Sequence, residues 1–230
     1  MDESGELSFA ALKQRLRHQR DLFNELHSTR LHRALSWLQA AEKQTLDADM
    51  QFISAWISFA ACSVSAAGSV TSVTTATDDP ASLADQAVFR QFIRQLVAHD
   101  QDQKIYHCLW HQYSGPVKAL IKNPYVYAPF WQSLREGNDD WKAMFDRSSV
   151  DALNYLSRQK VPELLGIVLD RLQVLHHQVV GGGATYQSQV NREQVEDGAA
   201  LLMTLMPIII DIMLSAADES WGELAYPVVK

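Results

Sequence analysis

The sequence predicts an all-α fold, a helical bundle, on three observations. Apolar residues recur three and four positions apart over most of the chain, and no alternating apolar-polar run exceeds a few positions. Gly-Pro, Asn-Pro and Gly-Gly-Gly signals punctuate the periodic stretches. No fixed period repeats, which excludes a solenoid. The 230 residues, 47% hydrophobic and 20% charged, can build a sizeable core without disulfide staples, and 10 glycines with 7 prolines exclude a collagenous or low-complexity chain. We read 1–230 as a single domain.

The elements follow in order. The start is acidic and lacks an unbroken apolar core, so no secretory signal is read there and a cytoplasmic protein is expected. Leu31, Ala34, Leu35, Leu38 and Ala41 keep helical spacing, with Ser28 or Thr29 as the cap. Asp47 and Asp49 cap a second helix through Met50, Ile53, Trp56, Ile57 and Ala60, and a short polar link makes the two an antiparallel pair. Residues 65–80 are small and polar with no face to bury, which predicts a mobile surface loop. Helicity resumes through Phe89, Phe92, Ile93, Leu96 and Val97, then through Ile105, Leu109 and Tyr113. Gly115-Pro116 and Asn123-Pro124 break the chain, and the aromatic-rich 124–145 reads as an irregular plug at one end of the core. Pro162 opens a helix that the glycines at 181–183 end. Asn191 and Gln194 stand at capping-box spacing before a last helix reaching about Ser215, and the tail 217–230 is expected to pack on the bundle. Its apolar run 198–210 stops at Asp211, short of the roughly 20 residues that span a bilayer. A buried core helix and no membrane contact are expected.

Charge and motifs narrow the chemistry. Twenty Lys and Arg against 27 Asp and Glu give −7, so contact with a polyanion requires a local cationic patch. Cys62 and Cys108 lie in apolar helical patterns, as reduced thiols do. The stretch 179–186 offers two glycines of a dinucleotide fingerprint, but Tyr186 takes the third place and a helix precedes it. His107 and His111 are spaced for one helix face, yet Cys108 stands where a zinc hydrolase needs Glu, and no second ligand pair is evident. No cofactor or metal is therefore expected. The six tryptophans read as core, and Met203, Met206 and Met213 as gap-fillers. The densest local chemistry is Arg171, His176, His177, the triple glycine, Thr185, Asn191 and Arg192. Histidine exchanges protons near neutral pH and arginine forks onto phosphate, although adjacent histidines on a helix point about 100° apart.

The block DRLQVLHHQVVGGGATYQSQVNREQVEDGAALLMTLMPIIIDIM (170–213) resembles the C-terminal signature of the Apea-like branch of the HEPN superfamily. HRALSWLQAAE (32–42), FISAWISFAA (52–61) and WGELAYPVV (221–229) are similar to other blocks of that branch, in the same order. The resemblance implies a helical bundle that forms a C2 homodimer, and a metal-independent ribonuclease of a bacterial defence or toxin-antitoxin system. It implies RNA and a cognate antitoxin or defence-system protein as partners. The family motif is Arg, a polar residue, spacers and His. It falls here on His176, His177 and Gly181, and Ala60 replaces an Asn often found in the earlier helix. Arg171 and His176 satisfy the letter of Arg-x4-His one helical stretch too early, which we read as coincidental. A rearranged catalytic set would draw on His176, His177 and Arg171, with Gly181 in the place of the family His. Thr185, Asn191 and Arg192 would contact nucleic acid. The resemblance with its altered motif implies a catalytically impaired relative; the alternative is a non-catalytic dimeric binding or regulatory protein.

Overall fold

In the computed structural model, residues 7–64 and 80–229 are described, those at 80–84 by backbone alone. The fold is all-α: ten α-helices, with no β-strand among the described residues. The expected surface loop 65–80 lies, apart from Pro80, outside them.

The centre is built by α2 (Glu25–Glu42), α3 (Ala48–Ser63) and α10 (Arg192–Ser215). The α2 stripe Leu31, Ala34, Leu35, Leu38 and Ala41 is buried. In α3 the buried face is Phe52, Ala55, Trp56 and Phe59, so of the five positions expected there Trp56 alone is buried, with Ile53, Ile57 and Ala60 half-buried and Met50 exposed. Ser58 Oγ donates to the Ala34 carbonyl at 2.7 Å, which ties the pair where their side chains are smallest. Gly198 lets α10 approach closely, since a Cβ there would stand 3.1 Å from Phe52 and 3.2 Å from Leu172. Asp47 caps α3 as expected, accepting from Met50 N at 3.0 Å. The α2 cap, however, is Asn24, which accepts from His27 N at 2.8 Å, so this helix starts a turn before Ser28 and Thr29.

By length and composition α10 could cross a bilayer, but most of its apolar stretch packs inside the bundle. Asp211, which breaks that stretch, is paired with Arg15 of α1 (Phe9–His18) and with Lys104 Nζ at 2.8 Å. The short α1 had no counterpart in the sequence reading, because Leu12 and Leu16 are its only buried residues. Beyond α10, Trp221 packs edge-on against Phe92 and His27. The buried Arg30 guanidinium donates to the Cys62 and Val64 carbonyls on one side and to those of Gly222 and Glu223 on the other.

Around this centre lie α4 (Pro80–Ala98), α5 (Lys104–His107), α6 (Ser114–Lys122), α7 (Ala128–Glu136), α8 (Trp141–Ser157) and α9 (Val161–Val180). Three expectations are corrected here. The helix expected across 105–113 loosens into a π-turn over Cys108–Gln112, and Gly115-Pro116 sits in the first turn of α6 rather than breaking the chain. The aromatic stretch 124–145 is ordered: a 3₁₀ turn, all of α7 and the start of α8. Its rings meet mainly edge to face while staying partly exposed, which conceals the helical period. The tryptophans divide, with Trp56 and Trp221 buried and Trp37 exposed. Met206 and Met213 are fully buried and Met203 partly so. Cys62 and Cys108 are buried free thiols, both pushed up to about 12 by burial.

Candidate functional site

The C-terminal end of α9 carries most of the expected site. Gly181 N–H returns to the His177 carbonyl at 2.9 Å and Gly183 N–H to the Gln178 carbonyl at 2.7 Å, while Gly182 adopts φ +72. This is a helix terminus of the glycine kind, not a phosphate cradle. A Cβ on Gly181 would stand 2.6 Å from the His177 carbonyl oxygen, so the backbone there is shaped for glycine.

His176 turns inward. Its ring stacks on Trp56 at 5.2 Å between centroids, and its Nδ1 is buried without a partner. Burial, with His177 adding to it, lowers its pKa to about 4. The His177 ring lies 5.8 Å away and is also lowered by burial. Both imidazoles are therefore neutral at pH 7. Three positions before His176, both amide atoms of the buried Gln173 lack a partner.

Arg171 serves a different face. Five residues at 100° each place it about 140° around α9 from His176. It is 1% exposed, donates to Ser148 Oγ at 2.9 Å and lies 4.3 Å over the Tyr127 ring. Asp170 approaches it at 3.5 Å. The structure thus brings His176 and His177 together and leaves Arg171 with α8 and the aromatic stretch.

Thr185, Asn191 and Arg192 do converge, on a cavity of about 230 Å³ where the start of α3, the end of α9 and the start of α10 meet. Arg192 is not free there. Its guanidinium holds both Asp49 carboxylate oxygens, at 2.8 and 3.1 Å, and Gln187 N–H donates to the same carboxylate at 3.0 Å. Chiefly through Arg192, Asp49 is held below the usual carboxylate range. Asn191 does not form the expected capping box: it adopts φ +58 and its side-chain amide donates to Gln178. His107 and His111 are exposed neighbours, and no metal-competent group of three His, Cys, Asp or Glu occurs among the described residues.

Sequence reasoning missed a larger feature. A cavity of about 720 Å³ lies among α4, the start of α7, α8 and α9, lined by Arg90, Arg94, Arg147, Asp151, Glu163 and Asp170. The i,i+4 spacings Arg90 to Arg94 and Arg147 to Asp151 were visible, but nothing local indicates that these two helix faces meet. Asp170, a quarter exposed, has its pKa raised to about 6 by burial, against the pull of Arg171.

No family model, curated protein or solved structure matches the chain.

Proposed function

We propose that the chain is a HEPN-type protein of a bacterial defence or toxin-antitoxin system whose ribonuclease site has lapsed, leaving a binding or regulatory role. The observation that carries this reading is the half-buried stacking of His176 on Trp56. Cleavage through the neighbouring 2′-hydroxyl needs a proton acceptor, a donor at the leaving oxygen and a cation on the phosphorane. A histidine with its pKa lowered to about 4 carries almost no proton to donate at pH 7. Gly181 has no group to donate, and Arg171 and Arg192 are engaged within the protein. Each missing group typically costs a hundredfold or more.

Purified protein incubated with RNA and a metal chelator is therefore expected to cleave slowly or not at all. Robust cleavage abolished by His176→Ala or His177→Ala would overturn this reading. The homodimer belongs to the same proposal, and a monomer by light scattering at micromolar concentration would count against it.

A further inference from the structure

We infer that the cavity among α4, α7, α8 and α9 is a binding site for a small phosphate-bearing molecule with a hydrogen-bond-donor edge, a mononucleotide in chemical class. The inference stands apart from the reading of the RNA site and can fail separately from it.

Size comes first. About 720 Å³ falls within the roughly 300–1,000 Å³ typical of small-molecule sites, and is too small for folded RNA. Charge comes second. Arg90 and Arg94 share one face of α4, and Arg147 enters from α8. None of the three forms an ion pair among the described residues, although Asp151, Glu163 and Asp170 line the same space, Asp170 lying beside Arg171. Arg90 donates a 3.3 Å hydrogen bond to Gln86. Guanidinium groups presented from two walls suit the several oxygens of a phosphate, which accept paired N–H donors. The carboxylates accept from a donor edge, and Phe89 with Tyr127 gives the walls apolar area for a planar ring.

Third is Gly166, inside α9. A glycine in a helix interior costs stability relative to alanine. At Gly198 close packing accounts for that cost, because a Cβ would meet three side chains within 3.4 Å. At Gly166 a Cβ would meet only Ile93 Cδ1, at 3.6 Å, an ordinary contact. Packing therefore does not require this glycine. What it does is widen the cavity, whose wall it forms.

The test is calorimetric titration of the full chain with AMP, GMP, CMP, UMP and inorganic phosphate, alongside a short single-stranded RNA. At least one mononucleotide is expected to bind more than tenfold tighter than phosphate alone. Arg94→Gln and Arg147→Gln should each weaken it tenfold or more. Gly166→Leu should abolish it by filling the space while unfolding at or above the parent temperature, which separates a blocked site from a misfolded chain. Three results would each overturn the inference: no heat with any mononucleotide at millimolar concentration, affinity unchanged by Gly166→Leu, or binding of the RNA alone.

Discussion

At the C-terminal end of α9, charge closes on the protein itself: Arg192 grips Asp49 with two hydrogen bonds, and the half-buried His176 is held neutral against Trp56. Along the N-terminal half of the same helix, Arg90, Arg94 and Arg147 face a shared cavity without an ion pair among the described residues. Groups that satisfy one another hold the fold and titrate away from neutral pH. Groups that face open volume remain available to a ligand. The end that carries the motif-like residues is thus the structural end, and the end without a motif is the one equipped for recognition.

Breaking the closed end should have the largest effect. Asp49→Ala removes both hydrogen bonds to a partly exposed guanidinium that keeps only the looser contact with Glu196 at 3.5 Å, and releases the Gln187 N–H, for a loss of about 2 kcal/mol in urea unfolding. Arg94→Gln, at the open end, should change stability by less than about 0.5 kcal/mol. Equal losses would erase the distinction. The pH dependence carries a sign as well. Because the folded-state pKa of Asp49 is depressed, its stabilisation is complete above the usual carboxylate range and is lost as pH falls through the folded value. Asp49→Asn should remove that part of the acid limb.

The two helix-interior glycines sharpen the comparison. Gly198→Ala forces a Cβ to 3.1 Å from Phe52 and should destabilise by about 1–2 kcal/mol. Gly166→Ala meets no such obstacle and should stabilise by up to about 1 kcal/mol. Thermal unfolding shifts of opposite sign are expected, and shifts of the same sign would mean that both sites are packed alike.

Smaller again is Gln173→Met. It replaces a buried amide whose two polar atoms have no partner with an apolar chain of similar length, for an expected gain of about 1 kcal/mol in the same assay. A loss would show that the amide has a role in the native state.

How much was readable beforehand follows from where apolar surface is buried. The helices α2, α3, α9 and α10 were legible because each buries a wide apolar face, so the spacing of three and four appears in the chain itself. The helix α8 was not, because Ala152 is its one fully buried residue over 17 and its large apolar groups stay partly exposed. Asn191 misled because capping-box spacing is a local signal, whereas the αL conformation that excludes the cap goes with the turn leading from the glycines into α10. The residues around Gly181 were locatable by type and order, but not the inward turn of His176, which depends on Trp56 some 120 positions earlier in the chain. The large cavity left no trace, since α4 and α8 contribute its arginines from separate stretches and only packing brings them face to face.

His176 gives the smallest effect at neutral pH and the clearest readout of closure. Unfolded, the imidazole takes up a proton as pH falls below about 6.5. Folded, it resists until about 4. The unfolded state therefore binds more protons between these values, so stability is full above 6.5 and declines as pH drops toward 4. His176→Phe keeps a ring against Trp56 and removes the titration. It should leave stability at pH 8 nearly unchanged and flatten the slope between 6.5 and 4, with a residual slope from His177, whose pKa is also lowered by burial. Imidazole resonances followed by NMR supply the direct check. A His176 midpoint near 6.5 would mean that the ring is open to solvent and can carry a proton, which would reopen this end of α9 as a site for chemistry.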